Sequence, residues 1–87
     1  MSTPRSFEIR TDGGGMMWLA GELDLAQMDT FIETVAAGTD GRRQIVLELS
    51  ELTFLDSSGI RAILRVAQLV PDGVILRNPR ENVRAVL

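Results

Sequence analysis

The sequence predicts one α/β domain: a mixed, mostly parallel four-stranded sheet with helices packed against it, in the order ββαβαβα. Three observations carry that expectation. A glycine-rich turn joins two short apolar segments near the N-terminus, the signal of a hairpin. Two stretches of helical periodicity then alternate with runs of branched apolar residues. Strand–helix–strand units of this kind need parallel neighbours and a right-handed crossover. At 87 residues the chain has room for a single domain and a small core.

Each element follows from local pattern. Phe7-Glu8-Ile9-Arg10 alternates apolar and polar, as a half-buried strand does, and is expected antiparallel at the sheet edge. Asp12-Gly13-Gly14-Gly15 reads as a turn. A phosphate-cradling loop would need a lysine in the GxxxxGK[ST] pattern and a helix after it, whereas the apolar run Met16 to Ala20 follows as a second strand. Asp24 opens the first helix and, with Gln27, fits a capping box. Leu25, Met28, Phe31, Ile32 and Val35 then recur at three- and four-residue spacings, which predicts one buried face with Met28 as core filler. Gly38 ends the helix.

Gln44 to Leu49, rich in branched residues, reads as a strand in the middle of a parallel sheet. Glu48 interrupts it, which is read either as a position near the exposed strand end or as a functional buried carboxylate. Ser50-Glu51 relaxes the chain, and Leu52, Phe54 and Leu55 are expected to anchor the approach to the two serines. After Gly59 the pattern is helical, with Ile60, Ile63, Leu64, Ala67 and Val70 on the predicted buried stripe and Arg61, Arg65 and Gln68 opposite. Pro71-Asp72-Gly73 stops it, "VILR" is a further short strand, and Asn78-Pro79 starts a last helix over "PRENVRAVL".

Composition narrows the function. Nine basic and twelve acidic residues give a net charge of −3, which speaks against a basic face for nucleic acid. The longest apolar run, Met16 to Ala20, is too short for a bilayer, and "MSTPRSFEIR" lacks a signal-peptide core, so a cytoplasmic protein is expected. The absence of cysteine and histidine removes disulfides, thiolate zinc sites and imidazole-activated nucleophiles. No EF-hand-like acidic series appears. The expectation is a non-enzyme without metal or cofactor.

The stretch "FLDSSGI", Phe54 to Ile60, is the remaining chemical signal. Asp56 or a serine there would cap a helix, and Gly59 would permit a sharp turn. A hydroxyl at a helix N-terminus is also an accessible phosphate acceptor, because free N–H groups and the helix dipole tolerate the added charge. Without histidine and without a GxSxG elbow, a serine that is modified is favoured over one that attacks.

"LAGELDLAQMDTFIETV" followed by "IVLELSELTFLDSSGIRAIL" resembles the STAS domain of bacterial anti-sigma factor antagonists, from about Trp18 to Val70. The resemblance implies that Ser57, the first serine after the aspartate, is phosphorylated by a partner anti-sigma factor that is itself a serine kinase. It also implies that Asp24, Asp56, Ser58 and Gly59 lie in the partner-binding region. Arg61 and Arg65 are read either as a solvated helix face or as contacts for an acidic patch on the partner. The implied cycle is partner switching: the unphosphorylated domain binds the kinase, a sigma factor is released, and a serine phosphatase resets the system. Such domains usually continue with a further short strand and helix, whereas this sequence stops at Leu87. Two alternatives share the fold, a regulatory subunit of a lipid-transport ATPase complex and a scaffold component of a stress-signalling assembly. The intact Asp56-Ser57-Ser58-Gly59 speaks against the ATPase subunit.

Overall fold

β1 (Phe7–Thr11) and β2 (Met16–Leu23) form the expected antiparallel hairpin in a computed structural model that describes residues 7–87. A 3-10 turn (Leu25–Gln27) leads into α1 (Met28–Ala37), followed by β3 (Ile45–Leu55), α2 (Ser57–Ala67), β4 (Val74–Arg77) and α3 (Glu81–Arg84). The four strands lie in the order β1-β2-β3-β4, with β2, β3 and β4 parallel and β1 antiparallel at the edge. Element order, sheet type and edge strand thus match the sequence expectation.

One side of the sheet makes the core. Met17, Leu19 and Leu23 of β2 and Ile45, Leu47 and Leu49 of β3 are fully buried together with Phe31 and Val35 of α1 and Ala62 and Val66 of α2. Phe7 meets Phe31 edge-on at 6.0 Å between ring centroids, which ties the edge strand to α1. Removing each such large side chain from water contributes about 1.5–3 kcal/mol.

The other side of the sheet carries a cross-strand row, Arg10, Trp18, Glu48 and Arg77, one residue from each strand. The Arg10 guanidinium lies 5.4 Å from the centre of the Trp18 ring. Glu48 is mid-strand and only 7% exposed, rather than near an open strand end. The Asn78 amide donates to both of its carboxylate oxygens at 3.2 and 3.1 Å, and Arg77 stands 3.7 Å away. The Asn78 bonds hold the Glu48 carboxyl below its usual range, with Ser50 and the Arg77 charge assisting against the opposing effect of burial.

Several boundaries differ from the expectation. β2 runs on to Leu23 and β3 to Leu55, so Ser50-Glu51 lies inside a strand. β4 pairs with Ile45 to Glu48 alone, and α3 covers the edge beyond it, where Arg80 donates to the Ser50 carbonyl and Asn82 to the Thr53 carbonyl. Phe54 is exposed while its neighbours Leu52 and Leu55 are buried, because only those two face the helices. The last helix is short: Val83 is buried, whereas Val86 and Leu87 are exposed.

Candidate functional site

β2 and β3 end in register, Leu23 beside Leu55, so Asp24 and Asp56 leave the sheet side by side from adjacent parallel strands. Gly21 prepares this exit. It sits at a register shift in β2 with φ +95°, a conformation that a side chain resists, and the shift brings Glu22 opposite Phe54. The "GELD" stretch is therefore the bent end of a strand, and "LDSSG" is the matching end of its neighbour.

At the second exit Asp56 is the N-cap of α2. One of its carboxylate oxygens accepts from the Gly59 N–H at 3.0 Å, while its backbone carbonyl accepts from Ile60. The helix begins at Ser57, ahead of the Gly59 start that the sequence pattern indicates. Ser57 is exposed and Ser58 half-buried. Gly59 is buried, and a Cβ there would lie 2.6 Å from the backbone carbonyl oxygen of Leu23. Only a residue without a side chain lets α2 approach the end of β2 this closely, so the glycine serves close packing rather than a turn.

Asp24 behaves differently. No side-chain cap bond forms, and the capping box with Gln27 is absent. The reason is helical geometry. In the 3-10 turn the Gln27 N–H, which a capping side chain would take, already donates to the Asp24 backbone carbonyl at 3.0 Å. The Asp24 Oδ1 is consequently buried with no hydrogen-bond partner among the described residues. A buried acceptor without a donor is costly, so the carboxylate is not held there by capping.

Two leucines move from the predicted core to the surface. Leu25 is 69% and Leu64 60% exposed. Leu25 lies on the 3-10 turn, which projects away from the core while α1 proper starts at Met28. On α2 the buried stripe is Gly59, Ala62, Ile63 and Val66, one position out of phase with the strongly apolar residues. Two of those four are small and carry little hydrophobic signal, so the spacing of Gly59, Ala62 and Val66 at three and four residues was the available clue. The outward face of α2 then presents Ser57, Arg61, Leu64, Arg65 and Gln68 at helical spacing. The 3-10 turn bearing Leu25 packs beside this helix. The structure thus gathers Asp24, Asp56, Ser57 and Ser58 at one end of the sheet, with Arg61 and Arg65 on the exposed face leading away. No group of residues suited to a metal ion occurs among the described residues, and no helix there is long and apolar enough to cross a membrane.

A small mixed sheet whose parallel strands end at a DSSG helix start defines a STAS domain. The STAS domain family matches residues 7–87, and the chain belongs to that family. Among solved structures it is similar to the anti-sigma factor antagonist SpoIIAA in its unphosphorylated form, at a TM-score of 0.71 and 21% identity, over 91% of this chain and 75% of that one. It is also similar to an anti-sigma factor antagonist from Mycobacterium paratuberculosis, at a TM-score of 0.68 and 23% identity, over 94% of this chain and 77% of that one. The phosphorylated form of the Bacillus cell fate determinant SpoIIAA aligns at a TM-score of 0.65 and 20% identity, over 91% and 78% of the two chains. At these identities the likeness is one of fold. A search of curated protein sequences found no match.

Proposed function

We propose that this domain is an anti-sigma factor antagonist that acts by partner switching in the cytoplasm, as a substrate and competitor rather than an enzyme. Unphosphorylated, it binds an anti-sigma serine kinase, which releases its sigma factor. Phosphorylation of Ser57 breaks the complex, and a serine phosphatase restores it. The observation that carries this reading is the division of labour at α2. Asp56 supplies the cap, so the exposed Ser57 hydroxyl at the first helical position is not needed for the fold. Phosphate there meets the positive end of a helix dipole and leaves the domain intact.

The docking surface in this reading comprises Asp24, Asp56, Ser58, Arg61 and Arg65 around Ser57, with Gly59 shaping it from beneath. Leu25 and Leu64 add apolar contacts of the kind that anchor interfaces. Arg61 and Arg65 favour an acidic surface on the kinase. The test is to incubate the protein with candidate anti-sigma kinases and ATP and to map the phosphate by mass spectrometry. Phosphate on Ser57 is the expected result. Phosphate on Ser58 in a chain with intact Ser57, or none with any candidate, rejects the assignment.

A further inference from the structure

The open edge of the sheet is self-complementary, and we propose that β1 pairs antiparallel with β1 of a second copy, centred on Ile9, to give a weak homodimer with a continuous sheet. This surface is separate from the Ser57 site, and the proposal does not depend on the reading of that site. Among the described residues β1 has a strand neighbour, β2, on one side only. The hairpin bond from the Asp12 N–H to the Met16 carbonyl sets the phase of the strand. Counting back by twos, Arg10 and Glu8 direct their backbone groups at β2, so Phe7, Ile9 and Thr11 direct theirs outward. A second β1 must therefore pair outward residues with outward residues.

Charge selects among the registers this allows. Centring the two-fold axis on Glu8 sets glutamate against glutamate, and centring it on Arg10 sets arginine against arginine. Centring it on Ile9 sets Glu8 opposite Arg10 of the second copy, and the reverse, giving two cross-strand ion pairs. These fall at non-hydrogen-bonded positions, where side chains approach most closely. The same register makes Ile9 face Ile9 and Phe7 face Thr11 as hydrogen-bonded pairs. Ile9 is half-buried against the core on the helix side, so a second Ile9 would extend that apolar surface. Glu8 and Arg10 are both exposed and have no ion pair among the described residues. Arg10, held over Trp18, stands on the same face of the sheet as Glu8. A ladder of five residues is short, so the dimer is concentration-dependent and weakened by salt.

Sedimentation velocity on the full chain up to millimolar concentration tests the proposal. The parent protein is expected to dimerise. Glu8→Arg and Arg10→Glu each make the facing pairs repulsive and should raise the dissociation constant roughly tenfold or more. An equimolar mixture of these two variants should form a heterodimer, and the double variant E8R/R10E should dimerise like the parent. Because both substitutions sit on exposed positions, thermal melts of the single variants should stay near the parent, and re-association on mixing shows that both are folded. A parent that remains monomeric at millimolar concentration overturns the proposal. So does a dimer indifferent to the charge variants, or single variants that fail to associate when mixed.

Discussion

Asp24 and Asp56 come directly after paired residues on adjacent parallel strands, and their backbones nearly coincide, with φ −125° and ψ −172° against φ −118° and ψ −170°. Yet one carboxylate caps a helix and the other has an oxygen buried without a donor among the described residues. The difference lies in the next turn of the chain. An α-helical start leaves the N–H three residues on free for the aspartate side chain, whereas a 3-10 start gives that N–H to the aspartate's own carbonyl. Of these two junctions, the aspartate caps where the helix winds as an α-helix from its first turn and does not where the turn is 3-10. Where it does not, the carboxylate is left for something else, and under the proposed function that is a donor on the partner.

The largest expected effect concerns the exit that is fully capped. Because Ser57 is spared from capping, Ser57→Ala and Ser57→Asp should both fold, while only the alanine variant binds the anti-sigma partner well. Moving a complex from mostly bound to mostly free takes roughly 5.5 kcal/mol of differential affinity, and a phosphoserine of about −1.5 to −2 charge, desolvated beside Asp56 at an interface, is a sufficient source. Calorimetry of the two variants and the phosphorylated parent against one partner decides it. Equal affinities for all three would remove the switch from this site.

Next in size is the contact that locks the two exits together. Gly59→Ala forces a methyl group against the Leu23 carbonyl, which is backbone and cannot rotate away. A loss of about 1–3 kcal/mol is expected from urea unfolding, typical of an overpacked core. Parent-like stability would show that α2 can lift from β2 freely.

The aspartates themselves give a direct contrast. Asp56→Ala should cost about 1 kcal/mol through the lost cap. Asp24→Ala should not destabilise the domain and should leave it as stable as the parent or more so, since no cap bond is lost and a buried acceptor without a donor among the described residues is removed. Equal losses in urea midpoints would break the comparison. Asp24→Asn should melt like the parent yet bind the kinase more weakly; if binding is also unchanged, Asp24 has no part in docking.

The smallest effect belongs to a carboxylate that is fully satisfied. Glu48 has its pKa lowered from an ordinary 4.5, chiefly by the Asn78 amide. A lowered native pKa means that the stabilisation is complete above the unfolded value and disappears as pH falls through the native one. The acid side of the melting-temperature profile should therefore fall less steeply below pH 4.5 in Glu48→Gln than in the parent. Identical acid limbs would show that Asn78 and Arg77 do not favour the ionised form.

Much of the fold could be read from sequence because its signals are local. The hairpin turn, the branched run of β3 and the glycine and proline stops fix the order of elements. Strand ends leave a weaker local signal. β3 carries buried residues on its helix side and the satisfied Glu48 on the other, so neither alternation nor a continuous apolar run marks its full length. The strongly apolar residues of α2 run out of phase with its buried stripe for a related reason. Its inward positions at Gly59 and Ala62 are small because the helix lies close to β2, and the larger Leu64 attracts the eye instead. The two motifs mark strand ends that lie side by side, but the fate of each hydrogen bond there depends on helical winding, which side-chain patterns do not encode.

The close seat of α2 on β2 has a consequence for how Ser57 can be read by an enzyme. With Gly59 wedged against the Leu23 carbonyl and Asp56 tied to the Gly59 amide, the serine is displayed on a stiff shoulder and not on a loop that could thread into a substrate groove. A kinase that uses Ser57 must accommodate a folded surface, so its selectivity would reside in shape across the Leu25 and Leu64 patches and not in the linear sequence around the serine. A synthetic peptide spanning residues 52–64 would then be a poor mimic of the intact domain, however faithfully it copied every letter.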